Sequence, residues 1–315
     1  MKIHGVIMAG GRGTRFWPES RTKRPKQLIA LTGPKALLEE TIERILPICS
    51  ASNIHIVTGK DIKDKVKKLI SRHKGINLIA EPKGRNTAPC IGYMASRISY
   101  FSSPEDVMVV LPSDHMVKNR KKFVETILAG VEAASKHNTV VTIGITPSSP
   151  NTGYGYIQMG KKIKSIKEGI NLHHVKSFKE KPNIETAKEF LESGEYLWNA
   201  GMFIVKAGVI FSEIKKHMPE LHKGLLEIGK HFGKKDEWAV FDKKFAILPS
   251  ESIDFGIIEK LSTTLTGKKL IALLDVNDLI IIDTDDVLLI ADKKSDQKIK
   301  EIVEKLKEKK LDEYL

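Results

Sequence analysis

The sequence has few cysteines and no long apolar run. Its 315 residues include two cysteines, Cys49 and Cys90, in apolar surroundings and without metal-ligand spacing, which favours buried thiols over a disulfide or a zinc site. No apolar stretch approaches the roughly 20 residues that span a bilayer, and the N-terminus lacks a charged segment followed by a long apolar one. We therefore expect a cytoplasmic protein with no membrane partner.

Arginine is also scarce, and its distribution is informative. The net charge is +13, yet only nine arginines occur, all before position 121. Four of them lie in "GVIMAGGRGTRFWPESRTKRPKQ", residues 5–27: Arg12, Arg15, Arg21 and Arg24. The lysines are mixed with glutamates, as in "KEIVEKLKEKKLDEYL", which indicates a solvated surface. Because arginine binds phosphate bidentately, we expect a small phosphorylated ligand and no nucleic-acid partner.

Short β-branched runs alternate with amphipathic segments through the first half of the chain. The runs are "IHGVIMA", "NIHIVTG", "INLIAEP", "DVMVVLPSD" and "VVTIGI". Stretches such as "ALLEETIERILPI" and "KKFVETILAGVEAASKH" separate them. This alternation indicates βαβ units. It predicts an α/β fold with a doubly wound, mainly parallel mixed sheet, in which ligands bind beyond the carboxyl ends of the strands.

The pattern changes after residue 150. Strand-rich text surrounds one predicted helix, "IETAKEFLESG", and residues 207–250 look helical. The segment "DLIIIDTDDVLLIAD" consists of two apolar runs about a polar turn, which predicts a β-hairpin. A lysine-rich helix is expected to follow it. Residues 262–269, "STTLTGKK", are the candidate linker between a large domain and this short C-terminal segment.

The glycine-rich loop after the first strand predicts a phosphate site. At Gly10, Gly11 and Gly13 the backbone N–H groups can approach a ligand closely. Their spacing fits neither common phosphate-loop motif, so a tight strand-to-helix turn is the alternative. Arg15 and Lys26 favour the phosphate interpretation. Arg15 would hold the distal phosphates and Lys26 the reacting one, which places positive charge where negative charge grows during phosphoryl transfer.

An aspartate follows another predicted strand, in "VVLPSDH". Among phosphate-binding groups, Asp114 could hold Mg²⁺ through one carboxylate while water and phosphate oxygens complete the octahedron. The alternative is an aspartate that caps a helix or stabilises a turn. The neighbouring His115 is interpreted as a structural hydrogen-bonding residue rather than a general base.

The segment "EPKGRNTAP" lies at a third strand end and offers groups for a purine base. The side chains of Glu81, Asn86 and Thr87 can donate to and accept from such a base. Asn86 or Thr87 could equally cap the start of a helix, which is the alternative to binding a base. The two interpretations are compatible.

Later segments supply groups for a sugar phosphate. "TGYGYI" provides Gly155, "FKEKP" provides Glu180 and Lys181, and "WNAGMF" provides Asn199. A sugar can lie against glycine backbone, a carboxylate accepts sugar hydroxyls, and a lysine can bind a phosphate. Each feature is weak alone, since turn glycines and surface Glu–Lys pairs are common.

Taken in order, these motifs resemble those of the sugar-phosphate nucleotidyltransferases. The matching text is "MAGGRGTRFWPES", "RPKQ", "EPKGRNTAP", "VVLPSDH", "TGYGYI", "FKEKP", "LWNAGMF" and "SIDFGIIEK", within residues 5–260. "RNTAP", "PSDH" and "WNAGMF" favour the guanosine and mannose branch. The resemblance implies a Rossmann-like fold and transfer of GMP from GTP to mannose-1-phosphate. The sugar phosphate would attack the α-phosphorus in line with Mg²⁺ as cofactor, and we expect a homo-oligomer, a dimer.

The resemblance also implies roles for individual residues and for parts of the chain. Residues 1–150 would bind the nucleotide, residues 151–261 the sugar phosphate, and residues 262–315 would form the hairpin and helix. Arg15, Lys26 and Lys181 would supply the catalytic charges. Nucleotide binding is implied for Gly10, Gly11, Gly13, Glu81, Asn86, Thr87 and Asp114, metal binding for Asp114, and sugar-phosphate binding for Gly155, Glu180, Lys181 and Asn199.

In one place the chain departs from this family's pattern. Between "SIDFGIIEK" and "VNDLIIIDT" the family carries a W-S-D-x-G-like motif with a second metal aspartate, whereas about fifteen residues join them here. Neither Asp254 nor Asp275 is expected to replace that ligand. Two hypotheses follow: an active nucleotidyltransferase that depends on Asp114 for its metal, or a regulatory homologue that binds a nucleotide sugar with weakened catalysis.

Overall fold

The computed structural model describes eight parts of the chain: residues 1–10, 26–30, 34–117, 119–167, 170–262, 270–274, 279–283 and 288–292. The strands are β1 (Ile3–Ala9), β2 (Ile54–Gly59), β3 (Asn77–Glu81), β4 (Val107–Pro112), β5 (Val140–Ile145), β6 (Tyr156–Lys167), β7 (Ile170–Lys179), β8 (Tyr196–Lys206), β9 (Leu270–Leu274), β10 (Leu279–Asp283) and β11 (Leu288–Asp292). The α-helices are α1 (Leu37–Ile45), α2 (Lys63–Leu69), α3 (Thr87–Phe101), α4 (Arg120–His137), α5 (Ile184–Ser193), α6 (Ala207–His217), α7 (Pro219–Gly229), α8 (Glu237–Phe245) and α9 (Glu259–Ser262).

Nine of the described strands form one sheet, in the order β3-β2-β1-β4-β8-β5-β9-β7-β6. The pairs within β3-β2-β1-β4 are parallel, as is the pair of β5 and β9. Strands β7 and β8 run antiparallel to the others. The sheet is therefore mixed, with most of its strands in one direction, and the predicted fold class is confirmed.

Strand β8 exchanges partners along one edge. Near its carboxyl end it pairs with β4, where Phe203 lies opposite Val110. Near its amino end it pairs with β6, where Trp198 lies opposite Tyr156. Strand β5 pairs with the other edge over both stretches. The exchange falls at residues 199–202, and it brings the second half of the chain against the carboxyl end of β4.

Helices cover both faces of the sheet because successive residues of a strand point to opposite faces. On β1, Val6 belongs to a core that includes residues of α3, α6, α7 and α8. Its neighbour Ile7 belongs to a second core, with residues of α1, α2 and α4. Both side chains are fully buried. This arrangement is the doubly wound architecture that the alternation of strands and helices predicts.

Several local predictions are confirmed. The helix at "IETAKEFLESG" is α5, the helices of residues 207–250 are α6 to α8, and β10 and β11 form the antiparallel hairpin. Both cysteines are buried and free. The terminal helix lies outside the described residues, as does nearly all of the candidate linker, and the boundary at residue 261 stays a prediction. Strand β9, beyond that boundary, pairs with β5 and β7 of the main sheet.

None of the helices in the described ranges is both long enough and apolar enough to cross a membrane.

An aromatic cluster attaches α8 to α3. Tyr93 is almost fully buried, and its ring lies 4.5 Å from the ring of Phe241 and 5.8 Å from that of Phe232. We expect Tyr93→Ala to lower the free energy of unfolding by about 3 to 5 kcal/mol, because it opens a cavity beneath α8. Tyr100→Ala, on the same helix but 61% exposed, should cost about 1 kcal/mol or less. Urea unfolding of both variants measures the difference, and equal losses would contradict the assignment.

Candidate active site

The carboxyl ends of β1, β2 and β4 meet at one edge of the sheet. The carbonyl of Ala9, the last residue of β1, accepts hydrogen bonds from the Gln27 amide at 2.8 Å and the Thr58 hydroxyl at 3.0 Å. The Ser113 N–H, just beyond β4, donates to the carbonyl of Met8 at 3.1 Å. These bonds fix the chain where Gly10, which is exposed, leaves the sheet. Doubly wound folds form their ligand crevice at this edge, beyond the carboxyl ends of the strands.

A lysine and an aspartate face each other at this edge. Lys26 begins a short 3₁₀ turn and is 8% exposed, and its Nζ lies 3.5 Å from Oδ2 of the more exposed Asp114. Burial alone would raise the pKa of Asp114, but the positive charge of Lys26 and the hydrogen bonds that the carboxylate accepts outweigh it and lower that pKa. The carboxylate is therefore ionised at neutral pH. The helix-cap alternative fails for Asp114, because Asn119 caps the following helix, α4.

His115 is held through its backbone. Its carbonyl accepts a hydrogen bond from the Arg44 guanidinium at 3.0 Å, and burial lowers the pKa of its imidazole. Its Nδ1 has no hydrogen-bond partner among the described residues. A neutral, buried ring of this kind fits a structural position beside Asp114.

Glu81, the last residue of β3, points an acidic side chain toward the glycine turn. A β-carbon on Gly10 would lie 3.7 Å from one of its carboxylate oxygens. The other oxygen, Oε1, is buried and has no hydrogen-bond partner in the described structure. Burial raises the pKa of Glu81 to about 7, against the opposing effect of a hydrogen bond with Cys90. An acidic group in this state can accept hydrogen bonds from a donor that enters the crevice.

The start of α3 is tied to the segment that precedes Asp254. Asn86 is the N-cap of α3, with a φ of 67°, and its Oδ1 accepts from the Thr87 N–H at 2.9 Å. The Thr87 hydroxyl in turn accepts from the Ile253 N–H at 2.8 Å. The predicted helix cap at Asn86 is thus confirmed, and both residues lie next to the crevice rim formed by β3.

Asn199 lies where β8 exchanges partners. Its backbone N–H donates to the carbonyl of Gly155 at 2.7 Å. Its Oδ1 accepts from the Thr142 hydroxyl at 2.8 Å and from the Gly201 N–H at 3.1 Å. Its Nδ2 donates to a carboxylate oxygen of Asp254 at 2.7 Å. Four hydrogen bonds therefore fix both the backbone and the amide plane of this residue.

This second group of residues adjoins the first. Gly201 has a φ of +62°, in the left-handed region that glycine adopts without strain. A β-carbon there would lie 3.9 Å from the ring of Pro112 at the end of β4, two residues before Asp114. The stretch of β8 that carries Asn199 therefore lies beside the end of β4, which precedes Asp114.

Gly155 is required by a close approach. A β-carbon at this position would overlap a carboxylate oxygen of Glu180 and lie 2.9 Å from the ring of Phe178. Only glycine allows the Glu180 carboxylate to rest against the backbone here. The side chain of Glu180 is 10% exposed, and the Lys181 Nζ, which is more exposed, lies 3.4 Å from its Oε1. The alternative of an ordinary surface pair fits the lysine but not the buried glutamate.

Two carboxyl groups influence each other in this part of the crevice. Burial, followed by the charge of Glu180, raises the pKa of Asp254 to about 7. Burial also raises the pKa of Glu180, against the charge of Lys181. Asp254 begins a π-helical turn, Asp254–Ile258, a distortion that is frequent at functional sites. Sequence reasoning considered Asp254 only as a metal ligand and missed its contact with Asn199.

The structure thus brings most of the predicted site residues to one edge of the sheet. Gly10, Glu81, Asn86, Thr87, Lys26 and Asp114 lie at the ends of β1, β3 and β4, and Gly155, Glu180, Lys181 and Asn199 lie around β6 to β8. Gly11, Gly13 and Arg15 lie outside the described residues. Thr142 was not predicted, because a threonine in the β-branched run "VVTIGI" gives no signal beyond strand propensity.

Asp114 presents one carboxylate for a metal ion. Within the described ranges, no three His, Cys, Asp or Glu side chains form a group that could hold an ion. Mg²⁺ binds through one or two carboxylates when phosphate oxygens and water complete its shell. The ionised and partly exposed carboxylate of Asp114 fits an ion that arrives with a phosphorylated ligand.

Comparisons with known proteins identify the family of this chain. The model of the nucleotidyl transferase family matches residues 4–243, and that of the MannoseP isomerase/GMP-like beta-helix domain matches residues 261–306. The putative mannose-1-phosphate guanylyltransferase of Vibrio cholerae serotype O1 is 33% identical over 98% of this chain and 75% of its own length. The mannose-1-phosphate guanylyltransferase of Escherichia coli is 33% identical over 96% of this chain and 75% of its own.

A solved structure also resembles the chain along its whole length. It is described as a mannose-1-phosphate geranyltransferase from Thermus thermophilus, is 26% identical, and has a TM-score of 0.71 over 98% of this chain and 100% of its own.

The alignment with the Vibrio cholerae relative leaves some positions of that relative unmatched. It extends over 358 positions, of which the aligned 98% of this 315-residue chain fills about 309. About 49 positions of that relative therefore have no counterpart here. The number of unmatched positions is large enough to include the W-S-D-x-G-like segment that the sequence lacks between residues 260 and 276.

The carboxyl pair gives a direct test of the geometry. In Glu180→Gln the charge that helps to raise the pKa of Asp254 is gone, so that pKa should fall from about 7 toward its ordinary range. Carboxyl ¹³C chemical shifts followed through a pH titration measure it. Glu185→Gln, an exposed change on α5, should leave it unchanged. An Asp254 pKa that is the same in both variants would show that the two carboxyls do not meet.

Proposed function

The chain belongs to the nucleotidyl transferase family, and from this premise we infer that it transfers GMP from GTP to mannose-1-phosphate, giving GDP-mannose and pyrophosphate. The observation that carries this inference is the 33% identity to mannose-1-phosphate guanylyltransferases over nearly the whole chain. The crevice supports it, because charged groups suited to phosphates adjoin carboxylates suited to sugar hydroxyls.

The proposed reaction needs positioning and charge rather than a protein nucleophile. A phosphate oxygen of mannose-1-phosphate attacks the α-phosphorus of GTP, the bond to the bridging oxygen breaks, and pyrophosphate leaves. Lys26, buried at the ends of β1 and β4, supplies positive charge near the reacting phosphate. We assign Arg15 to the distal phosphates and Lys181 to the phosphate of the sugar. The ordered backbone at Gly10 admits the triphosphate close to the sheet edge.

On the sugar side, the residues around β6 to β8 have distinct roles. Glu180, buried against Gly155, accepts hydrogen bonds from sugar hydroxyls, and its raised pKa falls again once such donors bind. Asn199 donates through its amide. Together they present a fixed set of hydrogen-bonding groups that a sugar with several hydroxyls can satisfy and a water molecule cannot.

We assign Mg²⁺ to Asp114. When bound, the ion would neutralise charge on the nucleotide phosphates. Because Lys26 lies 3.5 Å from the same carboxylate, the protein already balances this charge before a ligand enters. The ion should therefore bind together with GTP and weakly without it. We also propose that the enzyme acts as a homodimer.

A second candidate function is a regulatory homologue that binds GDP-mannose without efficient turnover. It is favoured by the missing W-S-D-x-G-like segment and by the roughly 49 positions of the Vibrio cholerae relative that have no counterpart here. The buried Lys26 beside Asp114 favours catalysis, because a protein that only binds product needs no group for the transition state.

Pyrophosphate release tests both functions. With GTP, mannose-1-phosphate and Mg²⁺ present, the wild-type chain should release pyrophosphate slowly, and omission of any of the three should stop it. Asp114→Asn should lower the rate about 100-fold and remove the remaining dependence on Mg²⁺, since a preorganised charge contact is lost. Asp64→Asn, an exposed change on α2, is the matched control. An inert wild-type chain that still binds GDP-mannose would support the regulatory function instead.

Glu81 is proposed to read the guanine base. Guanine offers adjacent N–H donors on its ring and exocyclic amine, which one carboxylate can accept, whereas adenine presents an acceptor at the ring position. Oε1 of Glu81, which has no hydrogen-bond partner among the described residues, provides an acceptor. We expect Glu81→Gln to reduce the preference for GTP over ATP by about 10-fold to 100-fold in kcat/KM.

The same substitution has a second effect, on stability. Folding raises the pKa of Glu81 to about 7. The free energy of unfolding therefore falls as the pH rises from the pKa of the unfolded chain to the pKa of the folded protein, and it stays lowered at higher pH. Glu81→Gln should therefore stabilise the ligand-free protein at pH 8 by about 2 to 3 kcal/mol and much less at pH 5. Thermal unfolding at both values measures it, with Glu189→Gln, exposed on α5, as control. A pH-independent difference would contradict the raised pKa.

A further inference from the structure

The orientation of the Asn199 amide is determined by its neighbours. Its Oδ1 accepts from the N–H of Gly201 and from the hydroxyl of Thr142. A flipped amide would turn its NH₂ group toward the Gly201 N–H, and two donors would then face each other. The oxygen is thereby saturated, and Asn199 can act toward a ligand only as a donor.

The amide nitrogen carries two hydrogens, and one of them is also committed. It is donated to the carboxylate of Asp254 at 2.7 Å. In the described part of the chain, no hydrogen bond of the second hydrogen is observed. Thr142 and Asp254 together thus leave one N–H of Asn199 for a ligand and set the plane in which it lies.

Thr142 reaches Asn199 because of an irregularity in the sheet. The pairing of β5 with β8 shifts register between Thr142 and Gly144, where Gly144 lies opposite Asn199. Such bulges redirect side chains near active sites. Thr142 is fully buried, and its hydroxyl also lies 3.4 Å from the carbonyl of Met202. It cannot touch a ligand in the crevice and can act on one only through Asn199.

We propose that Thr142 and Asp254 are positioning residues for mannose-1-phosphate, which hold the Asn199 amide so that its remaining N–H donates to the sugar phosphate. This inference rests on the proposed function. It assigns substrate affinity to a buried threonine on β5 and to an aspartate at the start of the π-helical turn.

The test measures substrate binding in matched threonine variants. We expect Thr142→Val, which keeps the shape and removes the hydroxyl, to raise the Kd for mannose-1-phosphate by about fivefold to tenfold, the effect of one hydrogen bond. The Kd for GTP should stay within twofold. Thr142→Ser, which keeps the hydroxyl, should bind like the wild type. Thr139→Val removes the hydroxyl of another fully buried threonine, one residue before β5, and should leave both values unchanged. Calorimetry gives the constants, and thermal unfolding shows that each variant is folded.

A double-mutant cycle separates positioning from a general loss of structure. In the Asn199→Ala background, Thr142→Val should have no further effect on mannose-1-phosphate binding, because the group it orients is absent. Asp254→Ala should behave in the same way. Additive losses in that background, or equal weakening of GTP and mannose-1-phosphate, would overturn the inference while leaving the proposed function intact. Failure of the wild-type chain to bind mannose-1-phosphate would overturn both.

Discussion

The antiparallel strand β8 determines where the two halves of the chain meet. It is hydrogen-bonded to β4 at one end and to β6 at the other, while β5 pairs along its opposite edge. The crevice lies where the partner of β8 changes from β4 to β6. Residues at this point must be small or hydrogen-bonded to their neighbours. Gly201 satisfies the first condition and Asn199 the second. The residues that follow β4 and those around Asn199 lie near each other because β8 pairs with both β4 and β6.

Burial gives the acidic groups of the crevice different properties. It raises the pKa of Glu81, Glu180 and Asp254. Under the proposed function Glu81 and Glu180 would gain hydrogen-bond donors when a base or a sugar binds, whereas Asp254 accepts from Asn199. Asp114 is different, since the positive charge of Lys26 helps to keep it ionised. Along one sheet edge, the surroundings of each carboxyl thus determine its charge. The buried carboxyls tend toward the neutral form, and Asp114 stays ionised.

The sequence predicted the fold class because the alternation of apolar strands and amphipathic helices follows directly from a doubly wound sheet. It also predicted the residues at strand ends, where glycine and acidic side chains stand out against β-branched neighbours. Strand β9 was missed, since a five-residue apolar run of this kind gives no sign of its partners. Thr142 and Asp254 were missed for a related reason. Their function depends on a register shift and on pairing across 57 and 55 positions of the chain, which no local pattern encodes.

The hydrogen bonds between the start of α3 and the segment before Asp254 join two regions to which the proposed function assigns different ligands. Thr87 accepts from Ile253, and the Ala88 N–H donates to the carbonyl of Glu251. Under the proposed function, a nucleotide base bound beside the start of α3 would therefore also restrict the backbone that carries Asp254. Any free-energy coupling carried by this connection is reciprocal. If bound nucleotide raises the affinity for the acceptor, bound acceptor raises the affinity for the nucleotide by the same factor. An ordered addition of the two substrates would then reflect their access to the crevice, because the coupling itself favours neither order.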